Sequence, residues 1–134
     1  MPKVHTISPR YSEIDMQGIV FHGHWLNYFD EALVHTMHSF GFDCATIFTR
    51  RGPFDLAVVK SALDWKGSAR FDTVIEIAVS TARIGNSSFD LRYVASAMDE
   101  ILCSCVTTYV VTNPHSPGSQ KIPPDLLAML QQLA

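Results

Sequence analysis

Asp15-Met16-Gln17-Gly18-Ile19-Val20-Phe21-His22 runs into an apolar stretch that begins near Trp25, and this junction decides the fold. Asp15 stands on a glycine-containing loop, Ser12 to His24, just ahead of a helix start. The first N–H groups of a helix have no intrahelical partner, so the loop sets a nucleophile or base beside free donors. From Trp25 onward, apolar residues recur at Leu26, Tyr28, Phe29, Ala32, Leu33, Met37 and Phe40, which is helical spacing. Gly41 is a natural C-terminal stop. The apolar stripe is wide, and the helix is expected to be buried on most sides.

Outward from this helix the periodicity is that of strands. Val4 to Tyr11 reads as a first strand, with Pro9 near its end. A short helical or irregular piece leads to Gly52-Pro53, and Leu56 to Trp65 reads as the next strand. Ile75, Ile77 and Val79 alternate with Glu76, Ala78 and Ser80 across a strand expected over Thr73 to Arg83. Gly85-Asn86 marks a turn; Phe89, Leu91, Tyr93 and Ala95 alternate in the strand that follows, and Asp99-Glu100 marks another turn. Ile101 to Thr112 is apolar or small on both faces, as in a central strand. Residues 113–134 are expected to be a linker and a short helix carrying Leu126, Leu127, Met129, Leu130 and Leu133. An apolar sheet face needs a cover, and one long apolar helix supplies it. Periodicity alone therefore gives an α+β domain over residues 1–134 with a mostly antiparallel sheet.

Composition narrows the function. With 47% hydrophobic and 17% charged residues the chain can bury a core and is not disordered. A formal net charge of −3 and the lack of a basic stripe argue against nucleic acid as a partner. No apolar run reaches the roughly 18 residues of a membrane span, and Met1 to His5 leads into a strand rather than a signal sequence. Cys44, Cys103 and Cys105 are odd in number; Cys103 and Cys105 would share one strand face, which suits neither an ordinary disulfide nor a metal site without a second Cys/His pair. They read as small buried hydrophobes in a cytoplasmic protein.

The run from Asp15 to His22 resembles the active-site loop of the 4-hydroxybenzoyl-CoA thioesterase family of hotdog-fold enzymes, and the chain is similar to the Tol-Pal-associated acyl-CoA thioesterases. The family pattern is Asp, two variable residues, Gly, two aliphatics, an aromatic, then His, Tyr or Asn, and every position is filled here. The likeness continues through Tyr28-Phe29-Asp30-Glu31-Ala32, Asp64 to Asp72 and Arg83 to Phe89, so it covers roughly Val4 to Thr112. It implies an antiparallel five-stranded sheet wrapped around a long central helix. It also implies an acyl-CoA thioesterase that forms dimers, or dimers of dimers, and needs no metal and no cofactor beyond the coenzyme A of its substrate. Trp25 departs from the Tyr more usual in the family, which bears on acyl-group preference rather than on chemistry.

The resemblance also implies roles for residues. Asp15 would attack the thioester carbonyl to give a mixed anhydride, or activate water as a general base; the residues leave both routes open. The backbone N–H of the residue seven after the Asp, here His22, would meet the thioester oxygen. Tyr11 matches an active-site Tyr of related enzymes, and Gly18 would let backbone and substrate approach closely. Phe21, Trp25 and Phe29 would make the acyl pocket hydrophobic. Lys66, Arg70, Arg83 and Arg92, with Asn86, Ser87 and Ser88 as neutral donors, are candidates for the coenzyme A phosphates, in part at a site shared with a neighbouring subunit.

Each role has a competitor. Asp15 can cap a turn or the coming helix, and Glu13 is the rival carboxylate. His22, His24 and Asp15 together form a legitimate zinc pattern. His35 and His38 share one helix face as solvated or interface groups, and Glu31 would support the site or the dimer seam. A non-catalytic acyl-CoA-binding module and an acyl-carrier-protein thioesterase remain alternatives on the same scaffold; the longer helix-start motif of hotdog hydratases is missing, as is the Gly-x-Ser-x-Gly elbow of serine hydrolases.

Overall fold

A computed structural model describes residues 1–134. Strand β1 (Lys3–Ile7) leads through a 3₁₀ turn at Tyr11–Glu13 to helix α1 (His24–Ser39) and the short helix α2 (Cys44–Ile47). Strands β2 (Asp55–Trp65), β3 (Ile75–Ile84), β4 (Ser88–Ala97) and β5 (Glu100–Thr112) follow, and helix α3 (Pro124–Leu133) closes the chain. All strand pairs are antiparallel in the order β1-β3-β4-β5-β2. This is the hotdog arrangement: one five-stranded sheet around one long helix.

The alternation read from the sequence decides which face turns inward. Ile75, Ile77 and Val79, then Phe89, Leu91, Tyr93 and Ala95, then Cys103, Cys105, Tyr109 and Val111 are all buried. Against them α1 buries Trp25, Tyr28, Phe29, Ala32, Leu33, Thr36 and Met37, one stripe at helical spacing. Phe29 stacks on Tyr93 with ring centroids 5.2 Å apart, and Phe89 stacks on Tyr109 at the same separation. The hydroxyls of Tyr93 and Tyr109 hydrogen-bond each other, which satisfies two polar groups deep in the core.

Sheet curvature comes from bulges. Register shifts fall between Val58 and Lys60 in β2, between Thr81 and Arg83 in β3, and opposite Ala95–Ser96, where Leu102 is the extra residue of β5. An extra residue bends its strand and increases the local twist, so the sheet can close around a cylinder.

Three expectations need correction. The first strand stops at Ile7 instead of reaching Tyr11, because Pro9 cannot continue a ladder and the chain turns into the 3₁₀ segment. Helix α1 is buried along one face only; Leu26, Glu31, His35 and His38 are exposed on the other. Strand β5 buries one face, while Ser104, Val106, Thr108 and Val110 on the other are half-buried. The linker before α3 packs on the sheet: Ser119 bridges to Thr112, and Ile122 is buried. The three cysteines are buried and unpaired, and burial, with Cys105 next to it, pushes the Cys103 thiol to about 12.

Candidate active site

The loop after β1 is held by backbone bonds at each step. Asp15 N–H donates to the Ile19 carbonyl (2.9 Å) and Gly18 N–H to the Asp15 carbonyl (3.0 Å), a tight turn flanked by a bridge between Ile14 and Val20. Gly18 closes it at φ +77°, a conformation that side chains other than glycine rarely adopt. Val20 N–H then donates to the Ala69 carbonyl (2.8 Å), joining the loop to the segment that follows β2.

Between these two segments lies a cavity of about 210 Å³. Asp15, Gln17, Ile19, Val20 and His22 line it from the loop, Trp25 from α1, and Trp65, Gly67 and Ser68 from the far side. One carboxylate oxygen of Asp15, Oδ1, accepts the Gln17 N–H (2.8 Å), so the residue caps its own turn; no hydrogen bond occupies Oδ2. Turn-capping and a free reactive oxygen therefore coexist in one side chain.

The helix start opposite Asp15 is uncapped. Gly23 at the N-cap offers no side-chain acceptor, and the first turn of α1 carries no acidic residue. The N–H groups of His22 and Gly23 donate to no acceptor in the chain. Unpaired donors at the positive end of a helix dipole are suited to a developing oxyanion. The His22 imidazole lies edge-on to Trp65 with centroids 6.0 Å apart.

The other sequence candidates divide. Trp25 lines the cavity and is 2% exposed. Arg70 Nη1 lies 3.6 Å from where a Cβ on Gly18 would stand, and Lys66 is exposed between Trp65 and Gly67. The ring of Tyr11 is 85% exposed and does not reach the cavity, because the 3₁₀ turn points it outward. Phe21 is exposed beside His22, and Phe29 belongs to the core on Tyr93 rather than to the cavity wall. Arg83, Asn86, Ser87 and Ser88 form the β3–β4 hairpin at the opposite end of the sheet. Phe89 there pairs with Tyr109, whereas Trp65 pairs with Cys103. Six residues at roughly 3.3 Å each place them about 20 Å away along the strands. Arg83 is also engaged by Asp90 (3.1 Å) and Ser88 (3.0 Å).

The zinc pattern does not form. His24 Nδ1 meets Asn27 Nδ2 at 3.1 Å, and no three His, Cys, Asp or Glu side chains converge as a metal site. Glu31 bonds His5 (3.1 Å), whose ring stacks on His35 at 3.9 Å.

Two further concavities adjoin the sheet. A wide groove of about 770 Å³ meets the Asp15 cavity at Ser68 and carries Asp72, Glu76 and Glu100. A cavity of about 270 Å³ between α1, β2 and β5 is lined by Leu33, Val34, Phe48, Leu56, Val58 and Tyr109. Its one ionisable carboxyl, Asp30, is raised above the ordinary carboxylate range by burial.

Trp65 and Ser68 were not legible as site residues, and Glu13 stood in the sequence only as a rival to Asp15. The Leu102 bulge delivers the first two: its carbonyl accepts the N–H groups of both Lys66 (2.8 Å) and Gly67 (3.0 Å). Glu13 lies behind the loop, 5% exposed, where Oε1 accepts the Arg10 N–H (2.7 Å) and the Tyr28 hydroxyl (2.8 Å) and Oε2 accepts the Arg10 guanidinium (3.1 Å). Burial alone would raise its carboxyl, but the Arg10 N–H, the Tyr28 hydroxyl and the Arg10 charge together hold it below its ordinary value. Burial and the Glu13 carboxylate in turn push the Tyr28 hydroxyl well up.

A family model described as "Thioesterase superfamily" matches residues 17–104. A curated protein of Aquifex aeolicus (strain VF5) is 23% identical over 131 residues, covering 98% of this chain and 99% of that one. Among solved structures, a hypothetical protein from Thermus thermophilus superposes with a TM-score of 0.86 at 24% identity over 98% of both chains. A gentisyl-coenzyme A thioesterase superposes at 0.85 with 20% identity over 96% of this chain and 99% of that one. A 1,4-dihydroxy-2-naphthoyl-CoA thioesterase from Synechocystis gives 0.86 at 18% identity over 99% and 98%. At these identities the superpositions establish the fold.

The depressed Glu13 carboxyl carries a pH signature. Its stabilisation is complete above the ordinary value of 4.5 and is lost as pH falls through the lower folded-state value. Denaturant melts of wild type and Glu13→Gln are expected to differ by about 1–3 kcal/mol at neutral pH. The gap should narrow as pH drops below about 4.5; a gap that stays constant down to the acid limit of folding contradicts the assignment.

Proposed function

Because this chain belongs to the thioesterase superfamily and is a thioester hydrolase, we propose that it cleaves acyl-CoA thioesters to a free carboxylate and coenzyme A. Asp15 is the nucleophile or general base, and the His22 backbone N–H is the oxyanion donor. The observation that carries this reading is that Asp15 and His22 line one cavity while the His22 N–H has no acceptor in the chain.

Two routes lead to the same products. In one, an Asp15 oxygen attacks the carbonyl carbon, the C–S bond breaks, the CoA thiolate leaves, and water cleaves the resulting mixed anhydride. In the other, Asp15 takes a proton from water as the water oxygen attacks, and the tetrahedral species expels the thiolate. Either way negative charge builds on the carbonyl oxygen, where a prearranged N–H is worth most. Trp25 and Trp65 wall the cavity with apolar surface.

Several features favour coenzyme A as the thiol. Lys66 and Arg70 flank the cavity, and their charge suits phosphates. The groove beyond Ser68 carries three carboxylates that repel phosphates, which directs the nucleotide end toward Arg70. Two solved structures of this fold are named as thioesterases of aromatic acyl-CoAs, so aromatic esters belong in any substrate panel.

A homodimer completes the site. Strand β2 is an eleven-residue sheet edge with Val58, Val59 and Trp65 more than half exposed. A two-fold axis pairs such an edge with itself antiparallel, so one subunit's Trp65 end meets the other's Val58 end. The apolar cavity at Asp30 and the Arg83–Ser88 hairpin of one subunit then face the Asp15 cavity of its partner.

Free-thiol release from aromatic and aliphatic acyl-CoAs tests the chemistry. Turnover on at least one ester is expected, with Asp15→Asn slower by about 10²–10⁴-fold while fold and assembly persist; unchanged turnover in the variant, or release only from acyl carrier protein, rejects this reading. Light scattering tests the assembly. A mass at an even multiple of 14.9 kDa is expected, falling to one chain with loss of turnover in Val59→Lys; a fully active monomer rejects the shared site.

A further inference from the structure

Glu13 touches each part of the segment that carries the chemistry without lining its cavity. Its carboxylate holds Arg10, at the start of the 3₁₀ turn, and the Tyr28 hydroxyl, on the second turn of α1. Its backbone carbonyl accepts the Phe21 N–H at 3.0 Å, the peptide group immediately before that of His22. Asp15 follows two residues later. The Tyr28–Glu13 bond is the one side-chain hydrogen bond that joins this loop to α1.

A buried carboxylate is an inefficient way to hold two segments together. Its desolvation cost is offset only by near-complete hydrogen bonding, and apolar residues of similar volume often stabilise a protein as well or better. What a carboxylate supplies and an apolar side chain does not is a defined direction and length: Oε1 takes the two short bonds, from the Arg10 N–H and the Tyr28 hydroxyl, while Oε2 meets the exposed Arg10 guanidinium. The consequence falls on the geometry of the loop. Freed from Tyr28, the segment from Glu13 to Asp15 would pivot relative to the helix start, and the separation of the Asp15 carboxylate from the His22 N–H would widen or fluctuate.

We infer that Glu13 is a positioning residue: through Tyr28 and Phe21 it sets the spacing between the Asp15 carboxylate and the His22 N–H, and so governs turnover rather than substrate affinity. This rests on the roles proposed above for Asp15 and His22. A displacement on the order of 1 Å between reacting groups lowers a rate by about 100-fold without altering remote binding contacts.

The test is steady-state kinetics on the fastest acyl-CoA substrate, at a temperature where every variant is folded and assembled, with Asp15→Asn measured alongside. Tyr28→Phe and Glu13→Ala are expected to lower kcat by about 10- to 100-fold with KM changed less than about 3-fold. Glu13→Gln keeps an Oε1 acceptor for Arg10 and Tyr28 and should restore kcat to within about 3-fold of wild type. If Glu13→Ala does not fold, Tyr28→Phe decides alone, since it removes one oxygen and leaves the core volume intact. Wild-type kcat in Tyr28→Phe, or in folded Glu13→Ala, beside an inactive Asp15→Asn overturns the inference and leaves the catalytic reading standing. An active Asp15→Asn overturns both.

Discussion

The buried Glu13 carboxylate is the constraint on which the rest of the site depends. A charge in a position only 5% exposed needs hydrogen-bond partners, and here it has them: Arg10 N–H and guanidinium from one direction, Tyr28 hydroxyl from another. Because those donors belong to the chain leaving β1 and to α1, satisfying one carboxylate joins the two elements that must meet at the cavity. The loop between them can then be irregular, with Gly18 at positive φ, without becoming loose. The helix start, for its part, is left uncapped, so its donors remain available to a ligand.

The sheet contributes the opposite wall by a different device. Strand β2 ends at Trp65, and the chain would run off the sheet there but for the bulge at Leu102 in β5. The extra residue turns one carbonyl toward the N–H groups of both Lys66 and Gly67, which pins Trp65 to Ser68 against the loop. Val20 N–H and the Ala69 carbonyl then close the two walls together. Curvature and site construction therefore share a cause, since the bulges that let the sheet wrap α1 also aim residues at its rim.

Local periodicity made the elements legible. The Trp25–Phe40 stripe, the alternation through Ile75–Val79 and Phe89–Ala95, and the Gly85-Asn86 turn all report on neighbours close in sequence, and all appear in the fold; the second turn falls one residue earlier than Asp99-Glu100, at Met98-Asp99, with Glu100 already in β5. The Asp15–His22 loop was readable because its pattern is compact and unusual. Features that depend on distant residues were hidden. Tyr11 points to solvent because the chain bends after Pro9 to satisfy Glu13, a bond across fifteen residues to Tyr28. Phe29 and Trp25 share the inward stripe of α1, yet only the second reaches the cavity, and helical spacing cannot separate a core position from a cavity wall. The resemblance offers the hairpin from Arg83 to Ser88 to a site shared with a neighbouring subunit, and strand register puts it at the far end of the sheet from its own subunit's Asp15.

The central claim is that a thioester carbonyl lies between the Asp15 carboxylate and the His22 backbone N–H. The most direct measurement is a crystal structure of the assembled protein with a CoA ketone analogue, in which a methylene replaces the thioester sulfur so that the carbonyl cannot be hydrolysed. The account predicts the ketone oxygen at about 3 Å from the His22 nitrogen, with an Asp15 oxygen or a water bound to it facing the carbonyl carbon. A ketone oxygen bonded elsewhere, with Asp15 engaged only by Gln17, would contradict it.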